Sequence, residues 1–271
     1  MHMINGISTL VESCSLHSVF LQREVTVDFY LPTASRNIGL VNLLLINDGQ
    51  LMEEIGLSQI LEKFYYTNEV VPVICVAIHA GTDRRQEYGI ASQPDYRGRG
   101  SKAGLYTSFI LMELLPYISI RFDNYSIKEK VFAGFSLGGL MAMDIVWNHP
   151  EVFSKAGVFS GSFWWRSLDQ EDEDYDDDKH RIMHQEIRKG SFKPGLRFFL
   201  QCGNLDEIRD RNNNGIIDSI DDTLDLVKEL IKKGYDPMKD IFYLEQKDGR
   251  HDSLTWSKAL PVFLQWAFIP G

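Results

Sequence analysis

The order of apolar and polar residues along the chain predicts strands and helices in alternation. Residues Glu24–Leu31 alternate polar and apolar side chains, as a half-exposed strand does. The segments 40–46 and 70–78 are short and nearly continuously apolar, which is typical of central strands covered on both faces. Between them, residues 51–64 have the spacing of a helix. This order of elements indicates a parallel sheet flanked by helices.

The same alternation continues to the end of the sequence. Helices are predicted near 106–118, 137–147, 222–233 and 254–268, and strands near 130–133, 156–159, 196–202 and 241–245. No internal repeat or Pro/Ser-rich linker interrupts the pattern, so residues 1–271 are predicted to form a single α/β domain, a mostly parallel sheet with helices on both faces. In such a sheet, catalytic groups collect on the loops at the carboxyl ends of the strands.

Composition and charge exclude several classes of protein. The 271 residues are 44% hydrophobic and 24% charged, and the net charge of −10 argues against nucleic-acid binding, which needs clustered Lys and Arg. The sequence has neither a run of 18 or more apolar residues nor a signal-peptide pattern, so no membrane insertion or export is expected. Cys14, Cys75 and Cys202 lie far apart and are interpreted as reduced packing residues, which fits a cytoplasmic protein.

An acidic segment accounts for most of the negative charge. The ten residues from Asp169 to Asp178 carry eight carboxylates. Because like charges repel and extend a chain, the surrounding stretch near 166–187 is predicted to be a solvated surface insertion rather than a specific cation site.

One short motif suggests catalysis. Gly134-Phe135-Ser136-Leu137-Gly138 fits G-x-S-x-G and lies between a predicted strand and a predicted helix. In that setting the glycines permit a sharp turn that exposes the serine hydroxyl as a nucleophile. The alternative is a glycine-rich structural turn that contains an incidental serine.

A nucleophilic serine needs a base and an acid later in the chain, in the order Ser, Asp or Glu, His. Among the seven histidines, His251 has the required place, after the strand 241–245 and before the last helix. Asp206 follows the strand 196–202 and is the first candidate for the acid, with Glu207 as the second. The alternative for His251 is an ordinary surface-loop histidine.

Two backbone amides are predicted to form an oxyanion hole. Leu137 begins the helix after Ser136, where a free N–H and the helix dipole favour negative charge. The second candidate is the amide of Gln50, because Gly49 would let the backbone bend after the strand 40–46. Asp-Gly is also a common structural turn.

These residues together resemble the putative esterase family of α/β-hydrolases, which includes enterochelin esterases, feruloyl and acetyl esterases, and mycolyltransferases. The resemblance implies an α/β-hydrolase fold with Ser136 as nucleophile, His251 as base and Asp206 as acid. It runs over nearly the whole chain and is carried by 30–32, 48–50, 85–88, 113–117, 134–139, 159–162, 202–206 and 249–251.

The resemblance also implies residues that would line the substrate site. These are Arg85, Glu87, Tyr88 and Trp165. Each has a structural alternative, since Arg85 and Glu87 would equally form an ion pair, and the tryptophan would equally be a core residue.

A second motif lies outside the esterase pattern. Counted from Asp210, oxygen-bearing side chains fall at positions 1, 3, 5, 9 and 12 with glycine at position 6, which is the spacing of an EF-hand calcium loop. A structural Ca²⁺ would brace the loop that carries Asp206. The alternative is an Asn/Gly-rich turn closed by its own side chains. The predicted ligands, including the carbonyl of Ile216, are Asp210, Asn212, Asn214, Ile216, Asp218 and Asp221.

The sequence therefore predicts a serine carboxylic-ester hydrolase that needs no organic cofactor. Its partner would be a small-molecule ester, such as an acylated sugar or a siderophore ester. Two other hypotheses remain open, an acyltransferase that uses the same triad and a non-catalytic, calcium-dependent interaction module on a hydrolase fold.

Overall fold

A computed structural model describes residues 8–33 and 39–270. Within these residues, eight strands form one sheet in the order β1-β2-β4-β3-β5-β6-β7-β8. The strands are β1 (Ser8–Ser18), β2 (Arg23–Thr33), β3 (Leu40–Asn47), β4 (Val73–Ile78), β5 (Ser126–Phe135), β6 (Lys155–Phe159), β7 (Arg197–Leu205) and β8 (Ile241–Arg250).

The sheet is mostly parallel, which confirms the predicted fold class. The six strands β4, β3, β5, β6, β7 and β8 are parallel to one another, whereas β2 is antiparallel to both β1 and β4. The antiparallel strand β1 was not among the predicted strands, because its apolar residues do not keep a clear period of two.

The helices lie on both faces of the sheet. A 3₁₀ turn at Gly49–Leu51 precedes α1, and Gly56, with φ of 80°, ends α1 and splits the helix predicted over 51–64. The helices are α1 (Met52–Ile55), α2 (Leu57–Thr67), α3 (Arg84–Glu87), α4 (Ala103–Phe109), α5 (Leu115–Arg121), α6 (Leu137–Asn148), α7 (Asp177–His180), α8 (Ile182–Lys189), α9 (Asp218–Lys233) and α10 (Ser253–Phe268).

Alternate residues of the central strands build two hydrophobic cores, one on each face. In β3, Leu43 and Leu45 face one core, while Leu44 and Ile46 face the other. The first core includes α6, whose residues 137–147 are all buried. Because both faces are covered, the central strands position their carboxyl ends rigidly, and the loops that follow them inherit that rigidity.

One long helix is apolar enough to cross a membrane by length and composition. Helices α4 and α5, joined by a π-helical turn, run continuously over Ala103–Arg121, and an 18-residue window has a mean hydropathy of 1.4. Phe109, Ile110, Leu114 and Ile118 on this helix are buried in the first core. Since core helices of folded domains share these properties, the helix by itself is weak evidence for a membrane span.

The acidic stretch near 166–187 is more ordered than a solvated insertion. Residues 171–174 are exposed, but Ile182, Met183 and Ile187 of α8 are buried in the first core. Arg181 is 3% exposed and pairs with Asp222 and Asp225 of α9, each at 2.8 Å. The prediction is therefore corrected for the C-terminal half of the stretch, where apolar residues and a buried arginine outweigh the local charge repulsion.

Candidate active site

Ser136 lies in a strained turn between β5 and α6. Its φ and ψ are 55° and −120°, a backbone conformation that residues other than glycine rarely adopt. The turn also requires the flanking glycines: a Cβ atom on Gly134 would lie 2.3 Å from the carbonyl oxygen of Gly138, and one on Gly138 would lie 2.6 Å from Oδ2 of Asp48. The sequence thus forms a tight strand-turn-helix element with the serine at its apex.

The backbone and side chain of Ser136 have defined partners. Its N–H donates to the carbonyl oxygen of Phe159 at 2.8 Å, and its Oγ lies 3.5 Å from Oγ of Ser162. Leu137 is the first residue of α6, where amides have no acceptor within the helix. The helix N-terminus next to Ser136 can therefore stabilise a developing negative charge.

The loops after β7 and β8 approach each other closely. A Cβ atom on Gly203 would lie 2.4 Å from the carbonyl oxygen of Gly249, so only glycine fits there. This contact brings the loop of Asp206 next to the loop of His251.

Asp206 and Glu207 point to different surroundings. Oδ2 of Asp206 accepts a hydrogen bond from the Gly203 amide at 3.1 Å, whereas its buried Oδ1 has no hydrogen-bond partner among the described residues. Burial raises the pKa of Asp206, and the Gly203 amide, the Ser160 hydroxyl and the charge of His251 act in the opposite direction. Glu207 instead lines a cavity together with Asp218, and burial, followed by the charge of Asp218, raises the pKa of its carboxyl.

His251 lies between β8 and α10 and is exposed. Loss of hydration where the neighbouring loops crowd it lowers its pKa, the charge of Asp206 raises it, and the charge of Arg84 lowers it. The net decrease keeps the imidazole neutral near pH 7, as a general base must be. The ring of Trp256 meets the His251 ring edge-on, with 5.3 Å between centroids.

The three candidate triad residues lie on loops at the same edge of the sheet, but their side chains are not hydrogen-bonded to one another in this structure. Among the described residues, Oγ of Ser136 is paired with Ser162, and Oδ1 of Asp206 is unpaired. Catalytic hydrogen bonds commonly tighten only when a substrate binds.

The loop of the second candidate oxyanion donor is shaped by Asp48 as well as Gly49. Asp48 adopts the left-handed conformation with φ of 61°, and Gly49 is required because a Cβ atom there would lie 2.6 Å from the carbonyl carbon of Ala77. The side chain of Gln50 accepts a hydrogen bond from the Ala80 amide at 3.0 Å. The sequence predicts the bend at Gly49, but Asp48 makes it one residue earlier. Gly49 instead allows the backbone to pass close to Ala77.

Arg84 is a site residue that the sequence did not identify. It pairs with both carboxylate oxygens of Asp48 at 2.6 and 2.7 Å, and its Nη2 lies 3.4 Å from the carbonyl oxygen of Phe135. It therefore ties the Gln50 loop to the strand that leads to Ser136. The sequence prediction names the adjacent Arg85 as a site residue instead, and the Arg-Arg pair is the only signal in the sequence for Arg84.

Of the four residues that the family resemblance assigns to the substrate site, three are buried. Arg85 is exposed, and Glu87 is 1% exposed and pairs with Arg23 at 2.6 and 2.7 Å. Tyr88 is fully buried against Tyr106, with 5.0 Å between ring centroids. Trp165 is also fully buried. Glu87, Tyr88 and Trp165 thus have packing or ion-pair roles in this structure, and the partner of Glu87 is Arg23 rather than Arg85.

A cavity rich in arginine lies beside the Asp206 loop and has a volume of about 280 Å³. Arg99 is held by Asp95 and lies 4.8 Å from the ring centroid of Trp164. Arg97 and Arg209 form no ion pair with any carboxylate in the part of the chain that the structure describes. The cavity is lined by Tyr96, Arg97, Arg99, Trp164, Arg166, Gln170, Glu207, Arg209, Asp218 and Asp222.

The loop 210–221 is closed by its own polar groups. Oδ2 of Asp210 accepts from the Gly215 amide at 2.8 Å, Asp221 accepts from the side-chain amides of Asn212 and Asn214, and Asp218 pairs with Arg211. These contacts are the ones expected of the structural alternative, an Asn/Gly-rich turn closed by its own side chains. Within residues 8–33 and 39–270, no group of three or more His, Cys, Asp or Glu side chains could hold a metal ion. A cation here would depend on the asparagine oxygens and the Ile216 carbonyl.

Comparison with known sequences gives a family match and distant relatives. The family model described as "Putative esterase" matches residues 18–267. The iron(III) enterobactin esterase of Escherichia coli (strain K12) is 26% identical over 153 residues, which are 56% of this chain and 33% of that protein. The aligned region thus spans about a third of this curated relative.

Solved structures share the fold. The enterobactin esterase FES from Shigella flexneri, in the presence of enterobactin, is similar with a TM-score of 0.73 and 21% identity, covering 94% of this chain and 58% of that chain. The siderophore hydrolase EstB from Aspergillus nidulans has a TM-score of 0.66 and 16% identity, with 98% and 96% covered. At these identities the likeness shows the fold, which is the α/β-hydrolase fold.

Proposed function

The chain belongs to the putative esterase family, and on that premise we propose that it is a serine esterase with Ser136, His251 and Asp206 as its catalytic triad. One observation carries the proposal. The strained Ser136 stands at the N-terminus of α6, on the same edge of the sheet as the unpaired, buried Oδ1 of Asp206. Strain at a nucleophile and an orphaned buried carboxylate oxygen are both costly, and they persist where function requires them.

Each group has a step in the proposed reaction. Ser136 Oγ attacks the ester carbonyl carbon while its proton passes to His251, and the amides of Leu137 and Gln50 stabilise the oxyanion. The carbon–oxygen bond to the leaving alcohol then breaks, and His251 returns the proton to that alcohol. Water, deprotonated by the same histidine, releases the acid and restores Ser136. Asp206 orients the imidazole and stabilises its cation.

The arginine-rich cavity favours a small ester that carries negative charge. Arg97 and Arg209 have no carboxylate partner in the described part of a chain whose net charge is −10, so they are available for an anionic group. The ring of Trp164, over which Arg99 lies, adds an aromatic side chain to the lining of the same cavity. Two similar proteins are named as a siderophore esterase and a siderophore hydrolase, so a siderophore ester is the first natural substrate to test.

The test is an ester panel assayed with the whole chain. We expect turnover of p-nitrophenyl acetate and covalent labelling by a fluorophosphonate, and a lower KM for an aryl ester that bears a carboxylate than for its uncharged methyl-ester analogue. Arg209→Gln should raise KM for the charged ester and leave the uncharged one as internal control. Absence of both turnover and labelling would contradict the esterase proposal. Equal KM values would contradict the charge preference alone, and products transferred to added alcohols would favour the acyltransferase.

The loop 210–221 carries a separate, structural proposal, that it binds Ca²⁺. Support comes from the EF-hand spacing and from the sharp turn at Gly215, where φ is 84°. Because Asp218 already pairs with Arg211, and Asp221 with two amides, calcium must displace those partners. The proposed ligands are Asp210, Asn212, Asn214, Ile216, Asp218 and Asp221.

We expect millimolar CaCl₂ to raise Tm, since a cation that binds only the folded chain stabilises it by mass action. The measurement is a thermal unfolding series in CaCl₂, with MgCl₂ as control for ionic strength and Asp210→Asn as the matched variant that should lose the increase. An unchanged Tm across the calcium series would leave the self-closed turn as the interpretation.

A further inference from the structure

Another cavity lies at the edge of the sheet opposite to Ser136. It is formed at the amino ends of the parallel strands, where β6 begins at Lys155 and β7 begins at Arg197, and its volume is about 320 Å³. Glu129 also lines it, and the stretch from Glu129 to Ser136, most of it in β5, is roughly 20 Å long at the rise of an extended strand. The cavity is therefore separate from the candidate active site.

Lys155 is a buried lysine in the wall of this cavity. It is 6% exposed, and its ammonium group donates to Oε2 of Glu129 at 2.6 Å and to the carbonyl oxygen of Ala267 at 2.7 Å. An ammonium group has three N–H donors, so one of them has no acceptor among the described residues. Because a buried charge is costly unless its hydrogen bonds are made, this N–H favours a ligand that brings an acceptor into the cavity.

Two further cations line the same cavity. Nε of Arg197 donates to the carbonyl oxygen of Lys239 at 2.9 Å, and the guanidinium carbon lies 5.0 Å from the ring centroid of Trp266. In the described part of the chain, neither Arg197 nor the exposed Lys128 forms an ion pair with a carboxylate. Glu129 is the one acidic side chain among the described residues of the lining, so the cations outnumber it and the cavity favours an anion.

The remaining wall of the cavity is largely apolar. The ring of Trp266 is held against Phe199 and Phe242, with 5.7 and 6.5 Å between ring centroids, so its position in the wall is fixed. A ligand with an apolar body would remove part of this wall from water, which is favourable. The apolar side chains include those of Val71, Pro72, Trp266, Phe268 and Ile269.

We propose that this cavity binds a small apolar carboxylic acid, of about the size of benzoate, at a site separate from the one that cleaves esters. The carboxylate accepts hydrogen bonds from Lys155 and from the planar guanidinium of Arg197, whose fork of N–H groups matches a carboxylate. The apolar body packs on Trp266. The volume lies near the lower end of the range of about 300–1,000 Å³ for ligand sites, which restricts the ligand to a compact acid.

Isothermal titration calorimetry on the whole chain tests the proposal with three probes. Benzoate has both the charge and the ring, benzamide keeps the ring without the charge, and acetate keeps the charge without the ring. We expect benzoate to bind roughly 10-fold more tightly than either, since a hydrogen bond to a charged group and the burial of an aromatic ring each contribute at least that factor. Absence of benzoate binding, or equal affinity for benzoate and benzamide, would overturn the proposal. Equal affinity for benzoate and acetate would reduce the site to one for an adventitious anion and overturn it as well.

Variants locate the site. Arg197→Gln removes the charged fork and should weaken benzoate binding by roughly 10-fold. Lys128→Gln should weaken it less, because an exposed charge is screened by solvent. Arg209→Gln is the matched control, since it removes an arginine from the other cationic cavity, and it should bind benzoate as wild type does. An unchanged Tm shows that each variant remains folded.

Wild-type affinity in both Arg197→Gln and Lys128→Gln would contradict the assignment. Loss of benzoate binding in Arg209→Gln alone would place the acid in the arginine-rich cavity instead. None of the three probes is an ester, so the result does not depend on catalysis, and Ser136→Ala should bind benzoate with wild-type affinity. A protein that binds benzoate through Arg197 but hydrolyses no ester would refute the esterase proposal and leave this site in place.

Discussion

Ser136→Ala is expected to reduce kcat for p-nitrophenyl acetate by roughly 10⁴- to 10⁶-fold relative to wild type, because removal of a triad nucleophile abolishes the acyl-enzyme route. KM should change much less, since the oxyanion amides and the substrate cavity remain. The turn does not depend on the serine hydroxyl for folding, because the hydrogen bond from the amide of residue 136 to the carbonyl oxygen of Phe159 is a backbone contact, which the variant keeps. The measurement is steady-state hydrolysis, with circular dichroism to verify the fold.

Labelling by a fluorophosphonate provides the second readout for this prediction. The reagent should attach to wild type and fail to attach to Ser136→Ala. Ser119→Ala, at an exposed serine of α5, is the matched control and should behave as wild type. Residual labelling or turnover of Ser136→Ala at the wild-type level would place the nucleophile elsewhere and refute the assignment.

The fold was predictable because its main determinant is the spacing of apolar residues along each element. In β3, every second residue belongs to the same core, and the neighbouring apolar runs behave likewise. Features that depend on a single residue could not be predicted from this spacing. Gly56 divides a helix that is periodic over 51–64, because its left-handed backbone ends α1 and begins α2.

The strained turn at Ser136 was predictable from local sequence, whereas the contacts around it were not. The contacts that force glycine at 134 and 138 arise within one turn, so five residues carry the whole signal. Glu87 and Arg84 find their partners 64 and 36 positions away, at Arg23 and Asp48. No spacing rule covers such distances, so the sequence offers the nearby Arg85 as the ion-pair partner of Glu87 and gives no sign of Arg23.

Burial in tertiary contacts also overrode the charge pattern near 166–187. Arg181 is drawn into the protein by Asp222 and Asp225, which lie more than forty residues later in α9. Eight of the ten residues from Asp169 to Asp178 carry a carboxylate. Nothing in the sequence indicates that Arg181, which follows them, pairs with carboxylates on a distant helix.

The choice between Asp206 and Glu207 was left open by the sequence because adjacent loop residues project in different directions, and spacing does not resolve a single step. The structure separates them by environment. Asp206 has a buried oxygen without a hydrogen-bond partner in the described chain and interacts with the charge of His251. Glu207 lies in the arginine-rich cavity with Asp218 and Asp222.

Asp206→Asn is therefore expected to lower kcat by about 10⁴-fold, the effect known for a triad carboxylate replaced by its amide. The amide cannot stabilise the imidazolium, and it can hold the imidazole in the wrong tautomer. The side chain keeps nearly the same shape, so the Gly203 contact and the fold should survive. Hydrolysis of p-nitrophenyl acetate measures the loss, and an unchanged Tm shows that it is not caused by unfolding.

Glu207→Gln is the matched variant, because it makes the same chemical change one residue along the same loop. It should retain most of the activity toward the uncharged acetate ester, since Glu207 lines the arginine-rich cavity, whereas the charge of Asp206 acts on His251. If instead Glu207→Gln lost activity and Asp206→Asn kept it, the acid of the triad would be Glu207. In that case the unpaired oxygen of Asp206 would need another explanation.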